Sequence, residues 1–337
     1  GEDREAWRGF HEKTGKYAKL LGQVFESRPP KLVESNLTDR LTLLKLGLGL
    51  KLLGREDMSD LMRIILTNMY DLMEEHFESP QLKALLSFDS VLGARMGPRT
   101  PNTVFTYLHR RVGEVFGFNG VSQVAGGMGA LGNAMAASAR SRGVELRLGA
   151  RVSSIDMING RAAGVTLEAG EQFRAPVVVS NADPVTTFEK LVGFRNIETG
   201  MARRVSQLRC AGGAAKLHLA LDGLPRFTGL DDSQLGQRLV IAPDMNYIER
   251  AFNAVKYGDY SASPALDISV SSVNDPASAP PGCHVLSAIV QFAPYEPDGG
   301  WRASSAVDGE THREHFTRLI LERIEEYAPG ISQQVVA

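Results

Sequence analysis

The chain has 337 residues, of which 43% are hydrophobic and 23% charged, an ordinary composition for a globular protein with one large or two average cores. Thirty-seven basic against 39 acidic side chains give a net charge of −2, which excludes the electrostatic footprint of a nucleic-acid binder. The two cysteines, Cys210 and Cys283, form no C-x-x-C pair, so a disulfide framework, a thiol redox motif and a cysteine zinc site are all disfavoured and a reducing, cytoplasmic setting fits.

The first third reads as helical. Trp7, Phe10, Tyr17, Leu20, Leu21 and Phe25 recur at helical spacing until "RPP" at Arg28–Pro30 stops the run. "SNLTDRLTLLKLGLGLKLLG" predicts a second helix closed by Gly54; its Leu41–Gly54 portion, broken by Lys45, Lys51 and internal glycines, is too interrupted to span a bilayer. It can wall an apolar cavity, touch a membrane surface, or simply pack. "MSDLMRIILTNMYDLMEEHFES" predicts one further helix with Ser59 at its N-cap, and "SPQLKALLSFDSVLGARMG" another with Pro80 in its first turn. The loop "GPRTPNT" then feeds "VFTYLHRRVGEVFG".

"GGMGALGNAMAASARSRGVELRLG" contains G-x-G-x-x-G at Gly127, Gly129 and Gly132. A dinucleotide fingerprint needs a strand ending at the first glycine and an acid closing the next strand about 20 residues later. "FGFNGVSQVA" upstream is broken by glycines, and "VELRL" ends in Gly149 and Ala150 where the acid should stand. The motif therefore reads as a glycine turn opening a packed helix.

From Val144 the texture changes to short strands: "VELRL", a pair reversed at "NGR" and "EAGE", then "VVVSNADP", "AAKLHLAL", "LDISVSSV" and "HVLSAIVQFAP". An amphipathic helix carrying Phe316, Leu319, Ile320, Ile324 and Tyr327 closes the chain before "PG". No Ser/His/Asp set, carboxylate pair or metal-ligand spacing stands out; His109 in "YLHRRVG" is the catalytic candidate, with a structural role as its alternative, and His218 lies on an apolar strand.

The segment from "GGMGAL" through "VVVSNADP", together with "HFESPQLKALLSFDSVLGARMGPRTPNTVFTYLHRRVG", "APPGCHVLSAIVQFAPY" and "EEYAPG", resembles phytoene desaturase-like FAD oxidoreductases of the amine-oxidase-like flavoprotein superfamily. Within it the chain is similar to the branch containing pyridine nucleotide-disulphide oxidoreductase domain-containing protein 2. The resemblance implies an α/β fold with α+β character: a partial FAD-binding domain plus a substrate domain of mixed β-sheet with helices. It implies helical substrate-domain structure over 1–120, the partial FAD domain over 121–193, the sheet over 194–300, and a helix returning toward the flavin domain over 301–337. Relatives open with the true phosphate-binding strand and turn and close with a glycine-rich flavin segment. Neither stands in this sequence, so the chain is expected to be the middle of such an enzyme, holding FAD weakly or not at all and inactive alone.

By the same resemblance, the Val152 backbone and Asn181, Ala182 and Asp183 lie on the FAD side, and Gly93, Arg99, Thr100 and Pro101 contact substrate. Bland alternatives stand beside these: Val152 as core, Asp183 as a helix cap, Arg95 and Arg99 as solvated charge. No metal is implied. The implied reaction is hydride transfer from an apolar, polyene or lipid-like small molecule to flavin. A redox-neutral isomerase or saturase and a non-catalytic binding protein remain open, as do oligomeric state and peripheral membrane contact.

Overall fold

The computed structural model describes residues 1–33, 35–118, 123–209, 211–305, 307 and 309–337. Cys210 and the expected boundary at 120/121 lie outside them. The chain divides into two units, one formed by Gly1–Gly127 with Gly212–Ala337 and the other by Met128–Ala211. Residues 194–211 thus group with the expected flavin segment, and the C-terminal helix groups with the sheet.

The first unit begins with six helices: α1 (Glu2–Phe25), α2 (Leu37–Leu52), α3 (Arg55–Ile64), α4 (Met69–His76), α5 (Pro80–Val91) and α6 (Thr103–Val115). Asn36 accepts the Asp39 amide while the Asp39 carboxylate accepts the Asn36 amide, a capping box that starts α2. The single helix expected from Ser59 is two: Ser59 lies inside α3, and Asn68 opens α4 by accepting the Asp71 amide at 2.9 Å. A good cap four residues past the end of α3 outcompetes continuation, because it satisfies amide groups that would otherwise be orphaned. Phe10, Tyr17, Ile64, Met69, Leu72 and Leu108 form the buried core of these helices.

At its edge, Asp60 accepts from Tyr17 Oη at 3.0 Å and from Arg63 at 3.2 Å and pairs with Lys13 at 2.9 Å. Burial opposes ionisation of Asp60, but hydrogen bonds from Lys13, Tyr17 and Arg63 outweigh it and hold the carboxyl below its ordinary value. A depressed pKa contributes stability above the unfolded value and loses it as pH falls through the folded one. Thermal melts should therefore show the gap between wild type and Asp60→Asn shrinking from roughly pH 7 to about pH 3; a constant gap would remove this role.

The rest of the first unit is an antiparallel sheet in the order β4 (Ala214–Leu221), β7 (His284–Gln291), β6 (Ala265–Val270), β5 (Leu239–Ile241). The expectation of a mixed sheet is corrected: every pairing described is antiparallel. Register puts Leu217, Leu219, Leu286, Ala288, Leu266 and Ile268 on one face, covered by Phe316, Ile320 and Ile324 of α11 (His312–Glu325). Strand periodicity of two and helix periodicity of 3.6 meet there in one core. The C-terminal helix, expected over 301–337, packs on this sheet. The other face receives α9 (Met245–Lys256), which the sequence reading overlooked; Ile248, Ala251 and Phe252 join Phe88, Val91 and Phe292 in a second apolar layer.

The second unit contains α7 (Gly127–Ser141), the sheet β1 (Val152–Ile158), β2 (Arg161–Leu167), β3 (Gln172–Arg174), a π-helical turn Thr186–Val192 and α8 (Thr199–Ser206). Asn159 and Gly160, at φ 49° and 74°, form the tight turn that "NG" specifies between β1 and β2. "VELRL" and "VVVS", expected as strands, join no sheet among the described residues and leave Leu148, Val177 and Val179 at 89%, 72% and 92% exposure. A strand needs a hydrogen-bonding neighbour, and β propensity without one leaves the segment irregular. The helix α7, expected as packed, buries none of its residues.

Candidate functional site

In the second unit a cavity of about 440 Å³ opens between β1, β2, the "VVVSNADP" segment and the π-helical turn. Ile155, Met157, Val178, Ala182 and Phe188 give it an apolar lining. Polar bonds hold its wall in place. Ser180 and Thr187 share a hydrogen bond of 2.8 Å, and Thr187 Oγ1 donates to the Ala182 carbonyl at 3.2 Å. Of the four residues assigned to the cofactor, only Ala182 lines this cavity. Asn181 is exposed, and Val152 is the half-buried first residue of β1 opposite Leu167. The Asp183 carboxylate accepts the Thr186 amide at 2.9 Å, and its bonds to Thr186 hold its pKa below the ordinary value. That carboxylate works as a cap on the π-helical turn.

In the first unit the substrate candidates fall in two successive turns, Gly93 in the one that follows α5 and Arg99, Thr100 and Pro101 in the one that precedes α6. Gly93, at φ 80°, donates its amide to Gln291 Oε1 at 2.8 Å. Arg99 is exposed: its guanidinium lies 3.8 Å from the Tyr70 ring centroid and donates to Asn246 at 3.2 Å, and its amide donates to Glu249 at 3.1 Å. Thr100 Oγ1 accepts the Gly97 amide at 3.0 Å, and Pro101 is exposed. Gly97 must be glycine, since a Cβ there would stand 2.5 Å from both Glu249 Oε2 and Phe252 Cδ1. Arg95 is committed to the Val255 carbonyl at 3.0 Å.

His109 lies on the exposed side of α6, edge-on to Phe25 with ring centroids 5.1 Å apart. Among the described residues no acid or hydroxyl reaches it, so the geometry supplies no partner for proton transfer.

Three arrangements escaped the sequence reading. Gln291, fully buried at the end of β7, accepts from Gly93 and donates to the Val91 and Ala94 carbonyls at 2.8 Å each, pinning the turn at Gly93 that follows α5. A glutamine inside the apolar run "AIVQFAP" was the available signal. On the sheet face away from α11, His218 Nδ1 and Ser287 Oγ share a 2.7 Å hydrogen bond across the β4–β7 pair. Lys216 stands two residues along the same face. Finally, Tyr260 Oη lies 3.0 Å and 3.1 Å from the Nδ1 atoms of His312 and His315. Neither of these last two pairings is visible without register or helix docking.

A family model described as flavin containing amine oxidoreductase matches residues 2–295. The chain belongs to the flavin-containing amine oxidoreductase family. Pyridine nucleotide-disulfide oxidoreductase domain-containing protein 2 of Mus musculus is 36% identical over 275 residues, which cover 79% of this chain and 46% of that protein. Phytoene desaturase (lycopene-forming) of Pseudescherichia vulneris is 28% identical over 80% of this chain and 51% of its own length. The chain thus spans about half the length of the curated relatives it matches. The crystal structure of an oxidoreductase from Methanosarcina mazei superposes with a TM-score of 0.54 at 17% identity, over 88% of this chain and 58% of the other, and shows a shared fold.

Membership in this flavin-containing family implies a flavin. The described residues fit one in part. The apolar wall at Ile155, Met157 and Ala182 suits a flat ring system, and open space surrounds the positions a Cβ would take at Gly127, Gly129 and Gly132. Asp183, the acid among the assigned residues, caps the turn through one carboxylate oxygen and is exposed. A phosphate-binding turn requires a strand that ends at its first glycine, and residues 123–126, directly before Gly127, are not strand. No helix of the described residues is long and apolar enough to cross a membrane.

Proposed function

We infer that the protein carrying this chain is a FAD-dependent oxidoreductase that removes a hydride from an apolar small molecule, with desaturation of a carbon–carbon bond as the reaction type. The observation that carries the reading is the family match along residues 2–295, joined to relatives named as phytoene desaturases. A bound FAD would supply the acceptor for that hydride (two electrons and one proton), and the neighbouring carbon would lose its proton to a base or to water.

The chain's own residues supply shape more than chemistry. Ile155, Met157 and Phe188 offer an apolar surface that excludes water, and Ala182, fixed through Thr187, sets the edge of that surface. Val152 with Asn181, Ala182 and Asp183 are the residues assigned to the cofactor side. In the first unit, Gln291 holds the turn at Gly93, and Glu249 with the Gly97–Thr100 pair holds the following turn at Arg99; Gly93, Arg99, Thr100 and Pro101 are the assigned substrate contacts. The lack of a nucleophile–base–acid set among these residues agrees with a reaction whose electrons go to a cofactor.

A redox-neutral reading has its own support: prolycopene isomerase of Daucus carota is 26% identical over 65% of this chain and 33% of its own length. Product analysis separates the two, since an isomerase leaves substrate and product at the same mass.

The decisive experiment is the visible flavin absorption band of the purified, complete gene product beside this 337-residue chain. The complete product should carry flavin that chromatographs as FAD after release, and substrate added without oxygen should bleach it. The 337-residue chain should carry little or none. Absence of flavin in both, even after FAD is added, would overturn the reading in favour of a binding protein without turnover.

A further inference from the structure

We propose that the outer face of α2 is a docking surface for an anionic lipid bilayer, on which the protein rests without crossing. The observation is a continuous leucine stripe that the helix does not use for its own packing. Leu37, Leu41, Leu44, Leu48 and Leu52 are 75%, 58%, 70%, 54% and 77% exposed. At 100° per residue these five side chains fall within about 80° of arc along about 22 Å of helix. Just before the helix, Leu32 and Val33 are 80% and 81% exposed.

Exposure alone does not identify what covers a surface; here the rest of the helix does. The opposite side makes the intramolecular contacts. Leu43, Leu46, Gly49, Leu50 and Leu53 are half-buried, and the Cβ position at Gly49 lies 3.0 Å from Leu20 of α1. The outward leucines are therefore not loosely packed core residues. They form a second face, and that face has a charged border. On the same wheel Lys45 follows the leucine arc on one side, and Lys51 and Arg40 follow it on the other, each within about 40° of its edge. The sole acid of α2 is Asp39, which is 3% exposed and closes the cap with Asn36. A leucine stripe with cations along both edges is the arrangement that lies in a bilayer interface. The apolar side chains enter the acyl boundary, while lysine and arginine stems reach back to anionic headgroups.

The charge pattern also decides against a second copy of the chain. Packing α2 on itself would set three cations opposite three cations with no exposed acid of the helix to pair them. Headgroups of negative sign satisfy both edges at once. This inference stands independently of the reaction assigned above, although a bilayer is also where an apolar substrate would be stored.

Flotation of the purified protein with vesicles tests it, using phosphatidylcholine alone and phosphatidylcholine containing about a third phosphatidylserine. The wild type should float with the anionic vesicles and much less with the neutral ones, and added salt should weaken the association. Leu44→Glu with Leu48→Glu, both at exposed positions that leave the circular dichroism spectrum unchanged, should abolish flotation. Lys45→Glu with Lys51→Glu should lower the partition coefficient at least about tenfold on the anionic vesicles. The proposal is overturned if the wild type stays in the supernatant with anionic vesicles, or if binding survives the leucine substitutions. It is equally overturned if sedimentation without lipid shows self-association that those substitutions remove, since the stripe would then belong to a second copy.

Discussion

Replacing Gln291 by leucine should cost about 3–5 kcal/mol of stability in the first unit, among the largest single effects available in this chain. The side chain is fully buried and each of its polar atoms is used: the oxygen accepts the Gly93 amide and the nitrogen donates to the Val91 and Ala94 carbonyls. Leucine fills nearly the same volume, so cavity formation contributes little, and the loss comes from stranding backbone groups at the end of α5. Thermal melts should show the transition of this unit lowered by roughly 5–10 °C. Amide exchange should rise at residues 91–95 before it rises in the β4–β7 pair. A Gln291→Leu variant as stable as wild type would mean that water reaches those groups and that the turn is not held by this side chain. Glutamate at the same position should be worse than leucine at neutral pH, because it keeps the acceptor but loses both donors and buries a charge.

Arg238 should be nearly as costly to lose. Its guanidinium donates to Asp89 of α5 at 2.7 Å and to Asp267 of β6 at 3.0 Å, joining the helical layer to the sheet. All three side chains are largely sheltered, at 21%, 22% and 11% exposure. Burial opposes the arginine's charge, and the two carboxylates more than offset that, raising its pKa. Arg238→Leu leaves two sheltered carboxylates without their shared cation; among the described residues Asp89 keeps Arg110 at 3.6 Å. The expected cost is about 3 kcal/mol near neutral pH.

Adding Asp267→Asn to Arg238→Leu should recover part of the loss at neutral pH, because it removes one of the two sheltered charges that the arginine had paired. If the double variant is no more stable than Arg238→Leu alone, the stranded carboxylate at position 267 is not the cause of the loss.

How much of this the sequence determined follows from the range of each interaction. Helix periodicity placed α1, α2, α5 and α11, since their apolar spacing is written in consecutive residues. The "NG" turn between β1 and β2 was equally local, because two positive-φ positions in a row admit few other residues. The family could be read from "GGMGAL", "VVVSNADP" and the stretch around "RMGPRTPNT", and the family match bears that resemblance out. Splitting one expected helix at Asn68 required weighing a cap against apolar periodicity, and periodicity alone misled. "VELRL" and "VVVS" have strand composition, but a strand exists only with a neighbour, and composition does not contain the neighbour.

The site divides in the same way. Asp183 could be seen in the sequence as either ligand or cap, and the structure shows its capping bond to Thr186. His109 was conspicuous as a letter and has no partner among the described residues, whereas Gln291 was inconspicuous and organises a turn nearly two hundred positions away in the chain. The leucines of α2 were visible from the start. That five of them face outward between cations is a fact of tertiary structure, because the direction of a helix is set by which face its neighbours cover. Local spacing fixes what an element is; the burial of one face against another decides which residues are left to act.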